Sequence, residues 1–144
     1  GSRTRSGMSD GTSENDWAFT RDFTAEPGDI DELGHVNNAR WVSWIQDIAV
    51  AHWHAVAPEE HQARYIWVVS RHEIDYRGNI RVGETAHGRT RVSGEPRGAR
   101  FDREVQFVDR EGKVLVSALT RWAMLDRETM RPQRITAEIA APFQ

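Results

Sequence analysis

The spacing of apolar and polar positions changes along the chain, and the longest segment with helical spacing begins just after the first quarter. From residue 37 or 38 to residue 56, apolar residues recur at helical spacing and cover most of the circumference, which predicts one long helix. Asparagine is a favoured N-cap, and Pro58 follows the predicted end. A helix that is apolar on most sides must be wrapped by other parts of the chain.

Five other segments have the composition of β-strands, because they are rich in valine, isoleucine, threonine and aromatic residues. They are residues 17–24, 65–76, 84–94, 99–109 and 113–125. Glycine-containing turn sequences at 94–98 and 109–112 separate the last three, so we predict that these three are antiparallel neighbours. A short helix is predicted at residues 136–141.

This order of elements predicts an α+β fold, in which an antiparallel five-stranded sheet is wrapped around one long central helix. The length of 144 residues fits one domain. Residues 1–16 are polar, begin with Gly-Ser and have their first methionine at position 8, so we expect a disordered expression tag and N-terminal tail. Residues 17–144 are then the single domain.

Composition excludes several classes of function. The chain has no cysteine, which rules out disulfides, thiolate metal sites and a cysteine nucleophile. Its net charge of −3 gives no reason to expect a nucleic acid partner. We expect a cytoplasmic protein with no membrane partner, because neither a bilayer-spanning apolar run nor a signal peptide is visible. All but one of the 19 basic residues are arginine, which fits a genomic base bias or, for a few of them, phosphate binding.

The residues at the predicted start of the long helix carry groups suited to acyl transfer. Asp31 supplies a carboxylate that can take a proton from water or attack a carbonyl itself. The helix N-terminus presents unpaired N–H groups and a partial positive charge, which can hold an oxyanion. Gly34 allows a tight turn and a close approach of substrate to the backbone. One carboxylate beside one oxyanion hole is sufficient for acyl transfer to water.

The sequence DxxGHVNNAxW at residues 31–41, followed by Trp44 and Asp47, resembles the active-site signature of the hot-dog-fold acyl-CoA thioesterases. The resemblance is to the branch of 4-hydroxybenzoyl-CoA thioesterase and the bacterial long-chain acyl-CoA thioesterases. EIDYR at residues 73–77 and RVGE at residues 81–84 also resemble that family's second strand and the turn after it. The likeness covers residues 17–135. It implies a hot-dog fold and hydrolysis of a fatty-acyl or aroyl thioester to free acid and CoA, with no cofactor and no metal.

The resemblance also implies three catalytic residues. Asp31 corresponds to the catalytic carboxylate, either general base or nucleophile, and Asn38 to the position whose backbone N–H polarises the thioester carbonyl. His35 corresponds to a histidine of the plant acyl-ACP thioesterases that is thought to assist the chemistry, although a purely structural histidine fits equally well. Leu33 stands where the plant enzymes have asparagine, so their extended polar network is not implied.

The substrate-binding residues implied by the resemblance are Gly34, Asn37, Trp41, Arg77 and Arg81. Gly34 and Asn37 act through backbone geometry and capping, whereas Trp41 replaces the family's tyrosine and can equally be a core residue. Arg77 and Arg81 are candidates for the CoA phosphates, with Arg89, Arg91 and Arg100 as further candidates by strand position. Asn79 receives no role. The family further implies a homodimer or homotetramer with sheets joined edge to edge and the acyl pocket at the interface.

Two other functions stay open. A hot-dog enoyl-CoA hydratase typically has an Asp and a His five residues apart, whereas Asp31 and His35 are four apart. A non-catalytic acyl-CoA-binding module gains little from an ionised carboxylate beside a carbonyl. A calcium loop at residues 29–40 is disfavoured, because Leu33 and Arg40 stand where ligands belong. The identity of the acyl group is not determined by the sequence.

Overall fold

The computed structural model describes residues 16–144, so the predicted tag and tail lie outside the described residues except for position 16. The elements are β1 (Phe19–Thr24), α1 (Asn38–Val56), α2 (Glu59–Arg64), β2 (Tyr65–Tyr76), β3 (Thr85–Arg97), β4 (Arg100–Val108), β5 (Val114–Asp126) and α3 (Ala137–Ala140). Two 3-10 turns, Pro27–Asp29 and Ala141–Phe143, complete the order. The helix and all five strands were predicted with nearly these bounds.

The five strands form one antiparallel sheet in the order β1-β3-β4-β5-β2. The predicted adjacency of the last three strands is confirmed, and their short connections explain it. β1 adds to the free side of β3 and β2 to the free side of β5, which leaves β1 and β2 as the edges. The predicted α+β class and the sheet wrapped on one long helix are therefore confirmed.

Helix α1 buries one face against the sheet. Its buried residues follow the i, i+3, i+4, i+7 spacing and are Trp41, Trp44, Ile45, Ile48, Ala49, His52 and Trp53. On the opposite side Asp47, Val50 and His54 are exposed, with Val50 retaining 43% of its accessible surface. The expectation that the chain buries this helix nearly all round was therefore wrong, because a single sheet layer reaches only one side.

The sheet approaches α1 most closely at Gly88 of β3. A Cβ atom on Gly88 would lie 2.9 Å from the backbone oxygen of Arg21, 2.9 Å from Phe107 Cε1 and 3.0 Å from Ile48 Cδ1. Only glycine fits at this distance, since real Cβ atoms do not come that close to other atoms. Gly88 thus allows β1, β3 and α1 to pack against one another.

Two further features were missed or only partly predicted. The six-residue helix α2 was not predicted, and the final helix is shorter than expected, with Thr136 as N-cap accepting a hydrogen bond from the Ile139 N–H. No helix within residues 16–144 is both long and apolar enough to cross a lipid bilayer.

Candidate active site

The loop that precedes α1 fixes the Asp31 carboxylate through one of its oxygens. Asp31 Oδ1 accepts hydrogen bonds from the backbone N–H groups of Leu33, at 2.9 Å, and His35, at 3.1 Å. The backbone closes the same loop, with the Asp31 N–H donating to His35 O at 2.8 Å and the Gly34 N–H donating to Asp31 O at 3.0 Å. Asp31 Oδ2 makes no hydrogen bond within residues 16–144, so it is available to a water or a carbonyl.

The first turn of α1 leaves one donor unused. Asn37 is the N-cap, and its side chain accepts from the Ala39 N–H at 2.8 Å. The Asn37 backbone oxygen accepts from the N–H groups of Arg40, at 2.9 Å, and Trp41, at 3.2 Å. The Asn38 N–H, by contrast, has no acceptor in the described part of the chain. Because first-turn N–H groups point out along the helix axis, this donor can receive an anionic oxygen.

His35 lies in the same loop with its side chain exposed. Its backbone, rather than its ring, supports Asp31, and the ring has no hydrogen bond to any described residue. The fold therefore brings Asp31, His35 and Asn38 to one junction between loop and helix. The catalytic role of His35 stays a prediction.

Asn79 anchors this loop to the sheet, although sequence reasoning gave it no role. Its side-chain oxygen accepts from the N–H groups of Val36 and Ile80, both at 2.9 Å, and its amide donates to Val36 O at 3.5 Å. It lies on the connection between β2 and β3. The sequence carried no signal for this contact, because Val36 and Asn79 are 43 residues apart.

Arg81 is brought to the loop, and the structure explains why position 34 is glycine. Gly34 has φ +80, and a Cβ atom there would lie 3.0 Å from Arg81 Nη1. Any other residue would meet both backbone strain and the guanidinium. The Arg81 backbone is held by its N–H, which donates to Glu84 Oε1 at 2.7 Å. Arg77 is exposed just after β2.

The other candidate arginines differ in how free they are. Arg91 pairs with Glu104 at 3.2 Å and stacks over the Trp17 ring, 4.3 Å from its centroid. Arg89 bonds Gln106 and also lies over Trp17. Arg100 is exposed at the start of β4. Arg91 and Arg89 thus already have partners within the sheet, which sets them apart from Arg77 and Arg81.

Trp41 lies in the core rather than on a surface that a substrate could reach in this chain. It is fully buried, with its ring 5.1 Å from Trp44 and 5.3 Å from Phe107, centroid to centroid. Its indole N–H has no acceptor among the described residues. Packing accounts for its size, and a contact with substrate stays a prediction.

Comparison with known proteins agrees with this geometry. Residues 25–143 match the sequence profile of the Thioesterase-like superfamily. Curated protein sequences give no match. A 1,4-dihydroxy-2-naphthoyl-CoA thioesterase from Synechocystis has a similar structure, with a TM-score of 0.73 at 12% identity over 87% of this chain and 94% of that one.

Two structures solved with CoA are also similar. A thioesterase from Thermus thermophilus complexed with coenzyme A and Zn has a TM-score of 0.73 at 22% identity, covering 86% of this chain and 90% of that one. A Staphylococcus aureus protein in complex with CoA has a TM-score of 0.77 at 12% identity, covering 86% and 80% of the two chains. These likenesses establish the hot-dog fold.

The chain therefore belongs to the Thioesterase-like superfamily, as the match over residues 25–143 shows. Its reaction class is that of a thioester hydrolase.

Proposed function

We propose that the protein hydrolyses an acyl-CoA to a free acid and CoA, with Asp31 and the Asn38 N–H as its catalytic groups. The observation that carries the proposal is the junction before α1. There, one carboxylate oxygen is held by two backbone donors and the other is free, next to a helix N-terminus whose first N–H has no acceptor in the described chain. The CoA complexes of two similar structures support CoA as the leaving group.

In the proposed reaction Asp31 Oδ2 takes a proton from water as the water oxygen attacks the thioester carbonyl carbon. The carbonyl oxygen becomes an oxyanion, which the Asn38 N–H and the helix dipole stabilise. The C–S bond then breaks, and the thiolate of CoA leaves and is protonated. In the alternative course Asp31 itself attacks, and water hydrolyses the resulting anhydride. Both courses use the same two groups.

The remaining residues take supporting roles in this proposal. Gly34 and Asn37 shape the loop and cap the helix, so that the carbonyl can approach the Asn38 N–H. Arg81, whose guanidinium lies against Gly34, and the exposed Arg77 are the proposed partners of the CoA phosphates. His35 is proposed to assist from the same loop.

We also propose that the chain is a homodimer joined along β2, or a tetramer of such dimers. β2 is a 12-residue edge strand with exposed apolar side chains, among them Val68 and Tyr76, and long edges of this kind are normally paired or covered. The apolar Val50 on the uncovered face of α1 fits the same idea. Sedimentation of a monomer with full activity would refute it. A location in the cytoplasm stays a prediction.

The test of the activity is free-thiol release from a panel of aroyl-CoAs and C4 to C16 acyl-CoAs. The proposal predicts catalytic release of CoA from at least one of them, and the preferred member defines the acyl group. Loss of the double bond of crotonyl-CoA without thiol release would instead identify a hydratase. Tight binding without any release would identify a binding module.

A further inference from the structure

A cavity lies between the C-terminal half of α1 and the sheet, well away from Asp31 in the same chain. Its volume is about 170 Å³, and its aromatic lining comes from Trp53, Tyr65, Trp67, Phe101, Trp122 and Phe143. An apolar cavity of about 150 Å³ is enough to hold benzene. Trp53 lies 15 residues after Asn38, which is about 22 Å along a helix axis. The cavity is therefore a separate feature of size suited to one aromatic ring.

A buried arginine forms part of the cavity wall. Arg103 of β4 is only 7% exposed, and its Nη1 donates to His52 Nδ1 and to Thr90 Oγ1, each at 3.0 Å. Asp102 also lines the cavity, but its carboxylate is paired with Arg121 at 3.1 Å, and no carboxylate within residues 16–144 lies at ion-pair distance from Arg103. Its Nε and Nη2 have no acceptor in the same residues. A guanidinium has five N–H groups. The bonds at Nη1 use at most two of them, so at least three remain free to donate to a ligand.

The surroundings of Arg103 do not neutralise its charge. Burial lowers the pKa of Arg103 to about 10, which still leaves it protonated at neutral pH. Burial, and then the charge of Arg103, lower the pKa of His52 to about 4, so His52 is neutral and acts as an acceptor. The indole N–H groups of Trp67 and Trp122, which also line the cavity, are buried without an acceptor among the described residues.

A cavity with this lining lacks one chemical component. Buried cations are costly unless paired, and buried donors cost free energy unless an acceptor is present. The missing component is an anion with acceptor oxygens on an apolar body. We propose that this cavity binds an aromatic carboxylate, with Arg103 as its counter-ion and the aromatic side chains around its ring. This goes beyond thioester hydrolysis, because it concerns a binding site that does not include Asp31.

The test compares acids with their neutral amides on the wild-type protein. Benzoate and 4-methylbenzoate are titrated by calorimetry and by the fluorescence of the cavity tryptophans, alongside benzamide and 4-methylbenzamide. We expect at least one acid to bind 10- to 100-fold more tightly than its amide, which is the usual worth of hydrogen bonds to a charged group. Equal affinity of acid and amide, or no binding of either acid, would overturn the proposal.

Variants then assign the effect to Arg103. Arg103→Met keeps the length and removes the charge, and it should abolish the preference for the acid, whereas Arg103→Lys should keep part of it. Arg71→Met is the matched control, because Arg71 is paired with Glu73 at 3.5 Å and neither residue lines this cavity. An unchanged preference in Arg103→Met overturns the proposal. If that variant does not fold, the wild-type comparison still decides.

The bound carboxylate can belong to a free acid or to the far end of the substrate's acyl group. A second experiment distinguishes these two sources. Thiol release is measured for an acyl-CoA with a terminal carboxylate and for its neutral analogue. A KM preference for the carboxylate that is lost in Arg103→Met assigns the site to the substrate, and this arm alone rests on the proposed function. Loss of acid binding with unchanged KM values assigns it to a free acid. Failure of thiol release would leave the binding measurements as the test of the cavity.

Discussion

Asn79 shows how one side chain can hold the proposed catalytic loop without belonging to it. Its side chain links the β2–β3 connection to the loop of Asp31 by accepting from the Val36 N–H and donating to Val36 O. Its oxygen also accepts from the Ile80 N–H within the connection itself. Asp31 in turn holds the loop through Oδ1, which accepts two backbone hydrogen bonds, and leaves Oδ2 for the proposed reaction. At this scale the proposed site depends on a few hydrogen bonds between backbone and side chain.

Asn79→Ala should lower both stability and turnover. It leaves the N–H groups of Val36 and Ile80 without their acceptor, which costs about 1–3 kcal/mol in the free energy of unfolding. A displaced loop should lower kcat roughly 10- to 100-fold. Asn79→Asp keeps the accepting oxygen and loses only the long 3.5 Å donation to Val36 O, so its stability should fall less than that of Asn79→Ala. Urea denaturation and thiol release measure the two effects, and wild-type values for Asn79→Ala would show that the anchor is irrelevant.

At the level of whole elements, the packing distance between helix α1 and strand β3 determines which residue is tolerated at their contact. Gly88 lies in the middle of β3 and sets how closely that strand approaches the helix. Strand propensity alone disfavours glycine there, so the requirement comes from tertiary contact.

Gly88→Ala should destabilise the fold by about 1–3 kcal/mol, because the added methyl group meets a backbone oxygen and two core side chains. Gly28→Ala is the control, since a Cβ atom there meets nothing within 4 Å. Its free energy of unfolding should change by less than about 0.5 kcal/mol. Equal urea midpoints for the two variants would contradict the packing account.

The sequence predicted elements well where periodicity was long and strong, and site contacts poorly where they join distant segments. Helix α1 was predicted to its last residue because apolar spacing, an Asn cap and Pro58 agree. α2 was missed because five polar residues and a single alanine carry no periodic signal. Arg103 was visible as a charge in phase with Phe101 and Val105 on the inward face of β4, yet only the structure shows the cavity beside it. The contact of Asn79 with Val36 likewise could be identified only from the folded structure.

The whole molecule combines a well-packed core with one buried, neutral histidine. His52 is 2% exposed, stacks on Phe19 at 5.1 Å between ring centroids, and accepts from Arg103. Its pKa of about 4 in the folded chain lies below the ordinary value of 6.5. The unfolded chain therefore binds more protons between these two values, so acid favours unfolding.

We predict that the free energy of unfolding falls as the pH is lowered from about 6.5 to about 4. His52 contributes up to about 1.4 kcal/mol per pH unit in this window and nothing above it. His52→Gln keeps an acceptor for Arg103 but does not titrate there, so its stability should depend less steeply on pH. Urea titrations of both proteins at pH 4.5, 5.5 and 7 give the difference. Parallel pH profiles would contradict a neutral buried His52.

The proposed hydrolysis of a thioester depends above all on the Asp31 carboxylate beside the N-terminus of α1. Asp31→Asn retains Oδ1 as an acceptor for the Leu33 and His35 N–H groups, so the loop should be preserved while the base is lost. Glu32→Gln removes a charge from an exposed neighbour in the same loop and is the matched control.

The measurement is kcat/KM for CoA release from the best substrate by these two variants and the wild type. The account predicts a loss of about 100- to 10,000-fold in Asp31→Asn and near wild-type values in Glu32→Gln. An Asp31→Asn protein that is folded and releases CoA within a few-fold of the wild-type rate would contradict it.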